Sequence, residues 1–186
     1  KIQAFKEAVL EEKTKDVAEM LLVVDDSFEI NKDNTKVLID YLKNHTDDFD
    51  QLIEQLESQA SDYQKGRMPY IDGAYGTIYL ERSGKKWLFF DEYHFVVVPA
   101  YIHIYSANSE IDLLINDEKV DTTSEHGTHN ERYGPYMPGE YTVKGKLESD
   151  YFTAEETENI TAFNLNNEAA HAEIDLNIGR VHINSP

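Results

Sequence analysis

Between residues 64 and 77 the hydrophobic period of this chain changes, which limits it to folds that segregate helices from strands along the sequence. Before the break, apolar residues recur at helical spacing. After it they alternate, as in Thr77-Ile78-Tyr79-Leu80-Glu81-Arg82. The break itself, Gln64 to Gly76, holds three glycines and a proline and reads as a loop.

The helical part divides into four. Ile2, Phe5, Val9 and Leu10 share a face of a first helix, and Thr14 offers an N-cap to a second that carries Val17, Met20 and Leu21. Asp33 or Asn34 is placed to cap a third, with Val37, Leu38, Tyr41 and Leu42 as its apolar stripe. A fourth begins at Thr46 or Asp47 and buries Phe49, Leu52, Ile53 and Leu56, its acids at the N-terminus suiting the dipole.

Past the break, Thr77–Arg82 and Lys86–Phe90 predict a hairpin turning at Ser83-Gly84-Lys85, on which the helices pack. Pro99 cannot donate to a ladder and marks a strand boundary. Tyr101 to Tyr105 then opens a series of short strands at about 111–115, 119–122, 141–147, 151–154, 159–165 and 172–178. Asn116-Asp117 is placed as a tight hairpin turn, and Pro138-Gly139 as a turn before the alternating Tyr141, Val143 and Gly145. The fold class is therefore α+β: a helical domain ending in a β-hairpin at 1–97, then an immunoglobulin-like β-sandwich at 98–186. The joint, without a Gly/Ser linker, is expected to be stiff.

Composition narrows the partners. The net charge of −19, from 36 acids against 17 bases, argues against nucleic acid and anionic membrane surfaces. With no cysteine the chain offers no disulfide, thiolate or cysteine zinc site. No run approaches the 18 apolar residues of a membrane span. The chain opens inside a helical pattern and closes on the strand-like Gly179 to Ile183, as a piece of a longer protein would.

Glu125-His126-Gly127-Thr128-His129-Asn130-Glu131 is the one cluster of metal-ligand character, with His126, His129 and Glu131 as weak candidates. The zinc-peptidase order is absent, so a solvated loop is the expectation, with no metal and no cofactor. Asn31 to Thr35 lacks the glycine and glutamate of a calcium loop and reads as a helix cap. The acid pairs Asp25-Asp26, Asp47-Asp48, Asp91-Glu92 and Glu155-Glu156 read as solvated faces. His103, between Ile102 and Ile104, points to the polar face of its strand. The aromatics Trp87, Phe89, Phe90, Tyr93 and Phe95 are assigned to hairpin core and the seam beside it.

Several of these segments together resemble the extracytoplasmic part of TcaA/YvbJ-type proteins, the teicoplanin-resistance-associated family of Gram-positive bacteria. They are Ala4 to Val9, Gly84 to Asp91, Val96 to Ile102, Ile115 to Val120 and Gly134 to Tyr141. The resemblance covers most of 1–145 and fades beyond. It implies a zinc ribbon and one membrane helix upstream, then helical and immunoglobulin-like domains outside the cell, with no catalytic residues. The expected function is a non-enzymatic module of a membrane-anchored envelope protein, linked to glycopeptide susceptibility, that binds a cell-wall component or an envelope protein. The membrane tether would lie outside this chain. The expected contact surface is the turn from Tyr133 to Tyr141, with Tyr133, Tyr136, Pro138 and Tyr141, together with the 122–132 loop. The alternatives are a rigid spacer presenting a further C-terminal domain and, third, a metal-dependent hydrolase using His126 and His129.

Overall fold

The computed structural model describes residues 1–23, 28–69, 77–86, 90–149, 151–163 and 169–176. The chain is α+β, its helices preceding most of its strands, and it clusters into two compact units. The first comprises Lys1–Tyr101, Gly134–Glu140 and Thr161–Ala170; the second comprises Ile102–Tyr133, Tyr141–Ile160 and His171–Pro186. Trp87, Phe89, Asp25-Asp26 and Gly179–Ile183 fall outside the described residues.

In the first unit α1 (Ile2–Leu10), α2 (Thr14–Met20), α3 (Lys32–Asn44) and α4 (Thr46–Gln64) bury the faces that their spacing dictates. Phe5, Val9, Leu38, Leu42, Leu52 and Leu56 are all almost fully enclosed, against Ile78, Leu80 and Phe95 of the sheet. Leu10 departs from the expected stripe and stays 52% exposed, while Ala8 takes the buried position. The cap of α3 lies two residues earlier than Asp33. The Asn31 side chain accepts from the N–H groups of Asp33 and Asn34, and the Asn34 side chain returns a bond to Asn31 N–H. That reciprocal pair satisfies orphan donors that Asp33, already inside the helix, does not reach.

The sheet beneath the helices is β1 (Leu21–Val23), β3 (Phe90–Val97) and β2 (Ile78–Lys86) in that order. Leu21, expected to end α2, instead begins β1 and pairs parallel with Phe95. A hairpin of β2 and β3 is present, but its return strand is Phe90–Val97 rather than Lys86–Phe90, and its turn is not at Ser83-Gly84-Lys85. Those residues lie within β2, where the register shifts between Arg82 and Gly84. Gln59 of α4 ties helix to sheet, its side-chain oxygen accepting from Leu80 N–H at 2.7 Å.

Strands β4 (Ala100–Ser106), β7 (His129–Tyr136) and β10 (Ala170–Ile174) form one sheet in the order β10-β4-β7. Strands β5 (Asp112–Ile115), β6 (Glu118–Thr122), β8 (Glu140–Glu148) and β9 (Thr153–Thr161) form another, ordered β6-β5-β8-β9. Asn116 and Asp117 have φ of 49° and 63°, the paired positive values of a two-residue hairpin turn, and they join β5 to β6 as their sequence predicts. Ile102 and Ile104 of one sheet and Leu113 and Val143 of the other are buried. The two sheets approach closely at Gly145, where a Cβ would lie 2.3 Å from Ile174 of β10.

Two edges of these sheets are closed by side chains. The carboxylates of Glu158 and Glu156 on β9 accept from the backbone N–H groups of Glu173 and Asp175 at 2.8 and 2.7 Å. Since β10 is an edge strand among the described residues, those donors would otherwise be open there for pairing. The second closure, between β6 and β7, forms the candidate site.

Candidate functional site

β7 was not expected from the sequence, which assigns its first half to a loop. Asn130, Glu131 and Arg132 carry no apolar alternation, and Gly134-Pro135 signals a turn. An edge strand with one wet face requires neither apolar alternation nor every ladder donor. Its residues His129 and Tyr133, four apart, lie on the same face of the strand.

Tyr133 is half-buried, and its O–H donates to Asp121 Oδ2 on β6 at 2.8 Å. The same oxygen lies 2.8 Å from His129 Nε2, and the two rings are within 11° of parallel. The hydroxyl has one hydrogen, and it is directed at Asp121. Tyr133 therefore accepts from His129, which carries hydrogen on Nε2. The Asp121 carboxyl is held below the ordinary carboxylate range, first by the Tyr133 hydroxyl and next by Thr122 N–H, with His129 and Lys119 adding favourable charge.

These three residues line a cavity of about 380 Å³, whose rim also carries Thr122, Ser124, Thr128, Glu131 and Arg132. The lining offers hydroxyls, carboxylates and cationic nitrogens. It suits hydrogen bonding to a polar ligand of mixed donors and acceptors.

The other expected site residues are distributed differently. Met137 is 1% exposed and Tyr141 6%, Pro138 and Gly139 are buried, and Tyr136 is half-buried. The turn from Tyr133 to Tyr141 is therefore not the most exposed surface. Pro138-Gly139 docks within the first unit: a Cβ on Gly139 would stand 2.6 Å from Val37 of α3, and Gly139 C=O accepts from Ala162 N–H at 2.7 Å. Tyr141 alternates inward from β8 into the second unit. Exposure instead belongs to the 124–128 loop and to Asn130, Glu131 and Arg132. His126, His129 and Glu131 do not converge, and no metal-ligating group of three His, Cys, Asp or Glu occurs among the described residues. Asp121 was missed as a site residue. Nothing local marks it, because its partners come from the edge of another sheet.

The family model described as the TcaA protein second domain matches residues 1–97, and that described as the TcaA protein 3rd/4th domain matches 99–176. The uncharacterized membrane protein YvbJ of Bacillus subtilis (strain 168) is 32% identical over 161 residues, 87% of this chain. The chain spans 24% of that relative's length. No solved structure matches it. No helix among the described residues is long and apolar enough to cross a membrane. On these matches, which together take in most of its residues, the chain belongs to the TcaA protein family.

Proposed function

We propose that this chain is a non-enzymatic, extracytoplasmic module of a membrane-anchored cell-envelope protein. Its β part binds a cell-wall component or an envelope protein, and through that contact bears on glycopeptide susceptibility. The match of residues 1–97 to the TcaA second-domain model supports it, and the two sheets that follow fit an immunoglobulin-like sandwich. The observation that carries the binding role is the groove at Asp121, His129 and Tyr133, where polar groups converge on a cavity of about 380 Å³. Family membership and the relative's description as a membrane protein support the envelope location. The charge of −19 disfavours nucleic acid and anionic lipid as ligands.

The test is co-sedimentation with purified cell-wall sacculi, followed by titration with soluble wall fragments. The wild type is compared with Tyr133→Phe and with Arg132→Ala. The expected outcome is wild-type binding that both substitutions weaken. Binding that neither substitution alters would remove the groove from the reading. A wild type that binds neither wall material nor envelope extract would remove the binding role and leave a spacer.

A further inference from the structure

His103 and His171 stand side by side on one sheet. Ile102 and Ile104 are buried on β4, which turns His103 to the opposite face, and Ala172 and Ile174 are buried on β10, which does the same for His171. The two strands are hydrogen-bonded neighbours, and the ring centroids lie 5.3 Å apart with planes inclined at 36°. His103 is half-buried and His171 exposed, so solvent reaches the pair.

That separation has a chemical meaning. A metal held by one nitrogen of each ring at about 2.0–2.1 Å would sit about 3.2 Å from each centroid, and a tetrahedral angle would then separate the centroids by about 5.2 Å. The observed centroid separation of 5.3 Å agrees with that spacing. The geometry points to His103 and His171 as a two-histidine chelate for a divalent transition cation of the Zn²⁺ or Cu²⁺ class. Imidazole nitrogens select such ions over calcium and magnesium, which take oxygen ligands. Among the described residues no third side chain completes a ligand set, so water fills the remaining positions. Glu173 lies on the same face of β10, and with the chain's charge of −19 it favours a cation there. The pair is separate from His126 and His129, whose loop and strand edge form the polar groove.

Calorimetric titration of tag-free protein with Zn²⁺ and Cu²⁺, with the histidine ring signals followed by NMR, tests the assignment. One equivalent is expected to bind, moving the signals of His103 and His171. His171→Asn and His103→Gln should each weaken binding by about tenfold or more, whereas His126→Gln should leave it unchanged. His171 is exposed, so its replacement keeps the fold and gives a result even where His103→Gln does not. Absence of binding below about 1 mM for either cation, or His171→Asn binding as tightly as wild type, would overturn the assignment.

Discussion

The Tyr133 hydroxyl donates a hydrogen bond to Asp121 and accepts one from His129, so one hydroxyl satisfies two neighbours on facing edges. Tyr133→Phe removes both bonds and keeps the ring. It is expected to cost about 1 kcal/mol, read as a lowered urea midpoint at neutral pH. The loss depends on pH with a definite sign. The folded-state value of Asp121 is depressed, so its stabilisation is complete above the ordinary carboxylate range near pH 4 and disappears as pH falls through the folded value. The difference between wild type and variant should therefore shrink on acidification; a difference wholly undiminished at pH 2 would assign the loss to the His129 bond alone. Two of the three residues of this site are legible in the sequence. His129 and Tyr133 stood out as a histidine and an aromatic in a polar stretch, whereas Asp121 looked like any acid in a chain that has 36 Asp and Glu.

At the scale of elements, legibility followed whether the conformation is set locally. The Asn116-Asp117 turn was readable because both residues tolerate the positive φ that a tight hairpin demands. The helices were readable because burial and period agree. Leu21–Val23 was not, since three residues cannot show a period and their strand character comes from pairing with Phe95 to Val97. Thr153–Thr161 looks like two fragments in the sequence, because Glu155-Glu156 interrupts its alternation. As one edge strand it keeps those acids at the rim. Gly145 is an element-scale contact of a different kind, the position that lets β8 approach Ile174 and Ile111. Gly145→Ala would place a methyl 2.3 Å from one isoleucine carbon and 3.2 Å from another. The expected cost is about 1–3 kcal/mol from overpacking, measurable as a lower thermal midpoint. An unchanged midpoint would show that β10 yields freely.

At the scale of the whole molecule, a charge of −19 is repulsive within a 186-residue chain, and its described ion pairs lie mostly at the surface. Screening the repulsion should outweigh screening such pairs, which contribute little individually. The thermal midpoint is therefore expected to rise between about 10 mM and 0.5 M sodium chloride; a fall would show that the ion pairs dominate. The glutamates that hold β10 carry a further consequence for how these molecules meet one another. Glu156 and Glu158 occupy backbone donors that a neighbouring strand would use, and among the described residues no further strand pairs with that edge. Replacing both with alanine should leave each strand in place yet create a template for a second copy, seen as concentration-dependent dimers in sedimentation. At high local concentration, the difference between separate molecules and a growing ribbon would then rest on two side-chain carboxylates.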